Sequence, residues 1–278
     1  MENEGGGNGS PISLNSKGEI DKINEITKRV RKRIIKMMYY EPTIHAGSSL
    51  SCVEILSVLY FKFIRRSENI YDKDWLILSK GHAAPALYAV LAETNVISED
   101  ELWGIQSIDS RLQGHPEIFI PGVDMSTGSL GQGLSFAGGV ANAIKMKKGK
   151  GTVFVILGDG ELDEGQVWEA ATNIAHRKLS NIIAIIDNNG FQLDGDSRSI
   201  KSKENVKGVW ESLGWRVFEV DGHSISELIN IIDLATKITE LPKVIIAKTI
   251  RGKGLYPIEN TKKQRVDPED ARKFIIDA

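Results

Sequence analysis

The stretch between residues 153 and 189 constrains the fold of this chain more than any other part of the sequence. Apolar, mostly β-branched residues at 153–157 favour a short buried strand, and a Gly-Asp-Gly turn follows at 158–160. A helical segment with small residues leads to a second apolar run at 182–186, which ends in Asp-Asn-Asn at 187–189. Strand, helix and strand in this order predict a βαβ unit, whose crossover is expected to be right-handed.

The polar residues of this unit predict a ligand site. In a parallel sheet, Asp159 and Asn189 both follow the carboxyl ends of neighbouring strands, where open α/β sheets bind ligands. Gly158 and Gly160 allow a close backbone approach and offer N–H groups to phosphate. A carboxylate alone would repel a bound diphosphate. The presence of Asp159 at this position therefore indicates a cation between its carboxylate and the diphosphate. Mg²⁺ prefers six oxygens, and Asp159, the amide oxygen of Asn189 and a backbone carbonyl near Phe191 could supply three.

A simpler interpretation is that these are two ordinary turns, because Gly, Asp and Asn are the commonest turn residues. The combination is more specific, since strand, Gly-Asp-Gly, helix, strand and Asn-Asn occur in order with thirty residues from Asp159 to Asn189. This arrangement resembles the diphosphate-binding motif of thiamine-diphosphate enzymes. The resemblance implies thiamine diphosphate and Mg²⁺ as cofactors, with Ca²⁺ or Mn²⁺ as alternatives for the metal.

Further apolar runs alternate with helical patterns along the chain. They lie at 75–78, 215–220 and 244–248, so that about five strands are expected in all. Strands that alternate with helices predict a doubly wound α/β fold, a parallel sheet with helices on both faces. Residues 17–278 are expected to form this one module, and the Gly- and Asn-rich residues 1–16 a disordered tail.

Several helices can be predicted with their special features. The apolar stretch at 50–63 favours one helix, which carries the single cysteine, Cys52. A run from Gly128 favours a helix to about Lys147. Its Gly138-Gly139 pair indicates close packing against another helix or subunit, because each glycine costs roughly 1 kcal/mol relative to Ala. Asp267-Pro268 is typical of the start of a closing helix.

The bulk composition excludes some classes of protein. The formal net charge of −2 gives no reason to expect nucleic-acid binding, and the basic run at 28–36 has apolar residues at helical spacing, as a solvated helix face does. No apolar stretch reaches membrane-spanning length, and the N-terminus lacks a signal-peptide core. Cys52 cannot form an intramolecular disulfide and is expected to be buried and inert. A reducing compartment, the cytoplasm, is therefore the expected location.

Three further segments resemble transketolase, specifically its N-terminal, diphosphate-binding module, in the expected order. They are Ser-Lys-Gly-His-Ala at 79–83, Gly-His-Pro-Glu at 114–117 with Pro-Gly-Val-Asp at 121–124, and Thr-Gly-Ser-Leu-Gly-Gln-Gly-Leu-Ser at 127–135. The resemblance covers about residue 20 to residue 255. Decarboxylating 2-oxo acid dehydrogenases share the Gly-Asp-Gly and Asn-Asn unit but lack this histidine set.

The resemblance implies a role for each matching residue. The implied metal ligands are Asp159, Asn189 and the main-chain oxygen of Phe191. The implied cofactor-binding residues are His82, Gly128, Ser129, Leu130, Gly158, Gly160 and Asn189. His45 and His115 would line the substrate channel as catalytic residues that bond donor hydroxyls or move protons. Glu164 and Glu169 resemble acidic residues that link paired active sites across the family's dimer.

The histidines also support this hypothesis by their chemistry. Histidine titrates near neutrality and therefore suits proton transfer to a sugar hydroxyl or carbonyl oxygen. His45, His82 and His115 lie in turns beside Gly or Ala, where the imidazole can face a cleft. His176 and His223 have structural interpretations, at a helix C-terminus and in a turn after a strand.

Two departures from the family qualify the expected activity. A full transketolase chain is more than twice as long as this one. It carries a second module with the glutamate that activates the cofactor. This chain is therefore expected to need a separate C-terminal subunit, in an α₂β₂ assembly. The family also places a histidine shortly after the loop at 251–254, and none follows here. That puts the phosphorylated ketose donor in doubt. The alternatives are a pyruvate or other 2-oxo acid donor, a 2-oxo acid dehydrogenase-type α-subunit, and a degenerate subunit for assembly or regulation.

Overall fold

The computed structural model describes residues 17–201, 203–263, 266 and 272–273. The predicted tail at 1–16 and the predicted closing helix that begins at Asp267 lie outside the described residues. Within them, no helix is both long enough and apolar enough to cross a bilayer.

A five-stranded parallel sheet forms the centre of the described fold, and a two-stranded antiparallel hairpin lies beside it. The sheet order is β1-β2-β3-β7-β6. The strands are β1 (Trp75–Leu78), β2 (Val153–Gly158), β3 (Ile182–Asn188), β4 (Phe191–Gln192), β5 (Gly195–Asp196), β6 (Arg216–Asp221) and β7 (Lys243–Lys248). All five predicted strands are therefore present, and the doubly wound α/β fold is confirmed.

Ten α-helices connect or flank these strands in the described residues. They are α1 (Lys17–Tyr40), α2 (Ala46–Ser51), α3 (Val53–Val58), α4 (Ala84–Glu93), α5 (Glu99–Leu102), α6 (Gln132–Met146), α7 (Gly165–His176), α8 (Ser197–Ile200), α9 (Val206–Ser212) and α10 (Ile225–Thr236). Short 3₁₀ turns at 81–83 and 160–163 follow the ends of β1 and β2.

Side-chain alternation along the strands divides the core into two layers. In β2, Phe154 and Ile156 pack with residues of α1, α3, α4 and α10, whereas Val153, Val155 and Leu157 pack with α6, α7 and α9. Successive residues of a strand point to opposite faces, so a strand that is apolar throughout must be covered on both sides. This explains the unbroken apolar runs in the sequence.

Two predicted helices differ from the observed ones. The stretch predicted as one helix at 50–63 is divided at Cys52 into α2 and α3, and ends in a π-helical turn at 59–63. Helix α6 begins at Gln132 rather than at Gly128, because Gly131 has a left-handed φ of 85° that breaks the helical path. Cys52 is fully buried, and burial raises the pKa of its thiol to about 12, as expected for an inert cysteine.

The glycine pair of α6 allows a direct stability test. A Cβ at Gly138 would lie 2.9 Å from Cγ1 of Ile174 in α7, whereas a Cβ at Gly139 would meet nothing within 4 Å. We expect Gly138→Ala to lower the free energy of unfolding by about 1–3 kcal/mol through overpacking. Gly139→Ala should raise it by roughly 0.5–1 kcal/mol through helix propensity. Urea unfolding of both variants checks this, and equal effects would contradict the close α6–α7 packing.

Candidate active site

A cavity of about 390 Å³ opens at the carboxyl ends of β2 and β3. Eleven of the residues singled out from the sequence line it. They are His45, His82, His115, Gly128, Leu130, Gly158, Asp159, Gly160, Glu164, Asn189 and Phe191. The structure thus gathers residues from six separate segments of the chain around one space.

Asp159 follows β2 directly and lies in the wall of this cavity with 3% of its surface exposed. One carboxylate oxygen accepts from the N–H of Gly160, and the other accepts from the N–H of Gly190 and the hydroxyl of Ser197, each at 2.9 Å. Burial, only partly offset by these donors, raises the pKa of Asp159 to about 6. A buried carboxylate of this kind is poised to gain stability from a cation.

Asn189 follows β3 and is also buried, at 7% exposure. Its Oδ1 accepts from the N–H of Phe191 at 3.1 Å. Its Nδ2 donates to Asp187 Oδ2 at 3.3 Å and to Ser51 Oγ at 3.4 Å. The β4–β5 hairpin then continues from Phe191 along the edge of the cavity.

The three histidines predicted from their loop contexts share the cavity wall. The rings of His45 and His82 meet edge to face, with centroids 5.3 Å apart. A Cβ at Gly128 would lie 3.4 Å from the ring of His115, so the Gly128 loop packs directly on that imidazole. The hydroxyl of Tyr88 lies 3.0 Å from the carbonyl oxygens of Gln113 and His115, which anchors this part of the loop.

His82 is held neutral by its surroundings. Burial, and then the nearby Lys80 and the other two histidines, lower the pKa of His82 to about 3. A neutral imidazole keeps one N–H donor and one acceptor nitrogen.

This shift of the His82 pKa predicts a pH dependence of stability in the cofactor-free chain. Below about pH 6.5, His82 is protonated in the unfolded chain but not in the folded chain. The free energy of unfolding therefore decreases as the pH is lowered. Asp159 contributes in the opposite direction. Its pKa is raised in the folded chain, so the folded chain binds this proton at a higher pH than the unfolded chain does. His82→Gln removes only the first contribution. Between pH 7 and pH 5 the variant should therefore gain about 1–2 kcal/mol relative to wild type in urea unfolding. A constant difference would mean that His82 titrates as a solvated residue.

Glu161 is a buried carboxylate that the sequence did not single out. It is 1% exposed and lines the cavity. It accepts from the hydroxyl of Ser79, from the N–H of Gly131 at 2.7 Å and from the N–H of Gly158 at 3.1 Å. Burial raises the pKa of Glu161. Glu161 therefore ties together the ends of β1 and β2 and the start of α6.

Arg251, in the loop after β7, was also not predicted. Its guanidinium lies against Gly47, and the residue lines the cavity. Arg251 as a whole is only 4% exposed. It donates to the carbonyl oxygens of Thr261 and Lys263 at 3.0 and 2.8 Å. Burial lowers the pKa of Arg251, although a guanidinium stays charged at neutral pH. The cavity wall thus carries a buried positive charge in addition to the acidic turn.

Two residues of the predicted set lie elsewhere. Ser129 is exposed and does not line the cavity, although its neighbours Gly128 and Leu130 do. Glu169 lies on α7, beside Trp168 and Thr172 and away from this cavity.

His223 bonds Glu54 at 2.9 Å and accepts from the N–H of Ile250 at 2.8 Å, in agreement with a structural role.

The residues present fit a hard, oxygen-preferring divalent cation with a phosphate ligand. Asp159, Asn189 and the main-chain oxygen of Phe191 are all oxygen donors, the set that Mg²⁺ uses when substrate phosphates and water complete its shell. Glycines at 158 and 160 leave backbone close to the same space. The described residues contain no group of three or more His, Cys, Asp or Glu side chains positioned to hold a metal.

Comparisons with known proteins agree with this geometry. The family model described as "Transketolase, thiamine diphosphate binding domain" matches residues 24–269. An apulose-4-phosphate transketolase subunit from Phocaeicola vulgatus is 34% identical over 248 residues, 88% of each chain. A 6-deoxy-6-sulfo-D-fructose transketolase subunit from a Clostridium species is 39% identical over 214 residues, 76% of this chain and 78% of that one. The solved transketolase of Campylobacter jejuni has a TM-score of 0.86 at 31% identity, and the match covers 93% of this chain but 42% of that one.

Proposed function

Because this chain belongs to the family of transketolase thiamine-diphosphate-binding domains, we propose that it is the N-terminal subunit of a split transketolase. In this role it transfers a two-carbon ketol unit from a ketose donor to an aldehyde acceptor. The family and the α/β fold predicted from the sequence are confirmed. The observation that carries the proposal is the single cavity that joins Asp159 and Asn189 to three histidines.

Thiamine diphosphate and Mg²⁺ are the proposed cofactors. Asp159, Asn189 and the main-chain oxygen of Phe191 bind the metal. The N–H groups of Gly158 and Gly160 themselves donate to Glu161 and Asp159, so the proposed role of these glycines is to allow a close backbone approach to the diphosphate. The buried guanidinium of Arg251 offsets the diphosphate charge. The bound coenzyme supplies the carbanion chemistry of ketol transfer, and the protein supplies binding, orientation and proton movement.

The remaining cavity residues orient the reactants. Neutral His82 donates its N–H to the diphosphate, and the loop at 128–130 packs against the rings of the coenzyme. His45 and His115 bond the hydroxyls of the donor and move protons to and from its oxygens. Glu161 holds the loop at 128–131 against the ends of β1 and β2, which keeps this surface rigid.

The proposed partner is a C-terminal transketolase subunit, which brings the pyrimidine-binding module and the glutamate that activates the coenzyme. Two similar proteins are named as subunits of transketolases and match this chain over 88% and 78% of their own length. This chain spans about two fifths of the solved transketolase, and in this proposal a second chain supplies the remainder. We expect an α₂β₂ complex in the cytoplasm, with Glu164 and Glu169 between paired sites.

Two observations bear on the donor: the names of the relatives and the loop at 251–254. The names of the two relatives refer to ketose sugars, one carrying a phosphate and one a sulfo group. No histidine follows the loop at 251–254 in this sequence, and Arg251 lies in the cavity instead. A ketose donor is therefore proposed first, and pyruvate or another 2-oxo acid second.

The test combines the chain with its C-terminal subunit, Mg²⁺ and thiamine diphosphate. Ketose phosphates, sulfo-deoxy ketoses and pyruvate are offered as donors with an aldehyde acceptor, and products are measured by mass. Ketol transfer that needs both chains supports the proposal. Reductive acylation of lipoamide with pyruvate would instead identify a 2-oxo acid dehydrogenase-type subunit. No product from any donor, together with no thiamine diphosphate binding, would leave only a role in assembly.

A further inference from the structure

Two fully buried charges, one of them on the cavity-lining residue Lys80, have no role in the proposed function. The side chains of Lys80 and Asp187 are 1% and 0% exposed and form an ion pair. Such a buried pair often contributes no more stability than an apolar pair of the same size. Its presence beside Asn189 therefore calls for another explanation.

Asp187 is surrounded by donors. Lys80 Nζ, Ser51 Oγ at 2.5 Å and Thr249 Oγ1 all donate to it. A carboxylate with these partners can only accept, so the group that faces it from Asn189 must be a donor. The amide of Asn189 meets this requirement, because its Nδ2 lies 3.3 Å from Asp187 Oδ2.

Ser51 imposes the same orientation on Asn189. A hydroxyl has one proton, and Ser51 Oγ has two acceptors for it, Asp187 Oδ2 at 2.5 Å and the carbonyl oxygen of Ser48 at 3.0 Å; either contact uses the proton. The oxygen of Ser51 is then left to accept from Asn189 Nδ2 at 3.4 Å. At the other end of the amide, Oδ1 accepts from the N–H of Phe191. A flipped amide would place oxygen against oxygen at one end and N–H against N–H at the other.

We infer that Asp187, paired with Lys80, is a positioning residue that with Ser51 fixes the carboxamide of Asn189 so that its oxygen serves the metal. This inference rests on the proposed function, because it assumes that Asn189 is a metal ligand. Groups that orient metal ligands typically change metal affinity ten- to a hundredfold when they are removed. The buried ion pair is thus part of the metal site without touching the metal.

A matched pair of variants tests this role in the full chain with its C-terminal subunit. Ser51→Ala and Thr249→Val each remove one hydrogen bond to Asp187, but of these two residues it is Ser51 that bonds Asn189. Calorimetry with saturating thiamine diphosphate gives the Mg²⁺ affinity, and turnover is measured against Mg²⁺ concentration. We expect about tenfold weaker Mg²⁺ binding for Ser51→Ala, less than threefold for Thr249→Val, and near-normal kcat for both at saturating Mg²⁺.

A second variant tests the same role in case Ser51→Ala folds poorly. Lys80→Met combined with Asp187→Asn leaves no unpaired charge, but residue 187 can then present either end of its amide to Asn189. Mg²⁺ binding should weaken by about ten- to a hundredfold. Equal Mg²⁺ affinities in wild type and in all these variants would overturn the positioning role alone. Absence of Mg²⁺-dependent thiamine diphosphate binding in the wild type would overturn the proposed function as well.

Discussion

Asp159→Asn is expected to abolish the thermal stabilisation that the proposed cofactors, Mg²⁺ and thiamine diphosphate, give to the chain in complex with the proposed C-terminal subunit. A ligand at a hundred times its Kd stabilises the folded state by about 2.7 kcal/mol, and the variant should lose this gain because a neutral amide replaces the only carboxylate proposed as a metal ligand. Ketol transfer should fall below detection in the same sample. Differential scanning calorimetry with and without both cofactors measures the first effect.

The cofactor-free variant should unfold close to wild type, within about 1 kcal/mol, because two effects oppose each other. Burial raises the pKa of Asp159, so replacing its carboxylate relieves an unfavourable charge at neutral pH. Against this, the N–H of Gly190 loses its charged acceptor. Asp194→Asn is the control, since Asp194 is an exposed carboxylate on the same cavity. If both variants keep the cofactor-induced shift, Asp159 does not hold the metal.

Lys80→Met should lower the free energy of unfolding of the cofactor-free chain by about 3–5 kcal/mol. The substitution leaves Asp187 buried without its cation, which costs far more than the intact pair contributes. The double variant Lys80→Met/Asp187→Asn should recover most of this loss, because no unpaired charge remains. Urea unfolding followed by circular dichroism measures all three proteins.

An exposed ion pair provides the comparison for Lys80. Lys207 and Glu219 lie 3.3 Å apart with side chains 51% and 40% exposed. Lys207→Met should therefore change the free energy of unfolding by less than about 1 kcal/mol. A similar small loss for Lys80→Met would show that Asp187 is solvated or protonated in the folded chain.

The sheet could be predicted from the sequence because its strands are local signals. The apolar runs at 153–157 and 182–186 are found as β2 and β3, each extended by one or two residues at its carboxyl end. Since these strands are neighbours, Asp159 and Asn189 reach one cavity, as the βαβ pattern predicted. The break at Cys52 was not predictable, because no Gly or Pro in the stretch at 50–63 marks an interruption of the helix.

The buried charges could not be predicted for a different reason. Glu161, Lys80 and Arg251 belong to residue types that usually lie on the surface, and nothing adjacent in the sequence marks them as buried. Their burial depends on partners supplied by distant segments. Lys80 lies within the Ser-Lys-Gly-His turn, and the functional role predicted for this turn was assigned to His82. A buried ion pair is recognised only when both of its members are placed in the fold.

The contacts of Asp187 also carry a consequence for biosynthesis. Ser51 and Lys80 precede Asp187 by 136 and 107 residues, and Thr249 follows it by 62. Contacts of such long range form late, after the intervening loops have closed. While the ribosome is still translating the chain, the coenzyme pocket lacks its last wall until the segment beyond β7 has emerged. Binding of the proposed coenzyme should therefore require the segment beyond β7, and shortened chains that end before this segment are expected to remain empty.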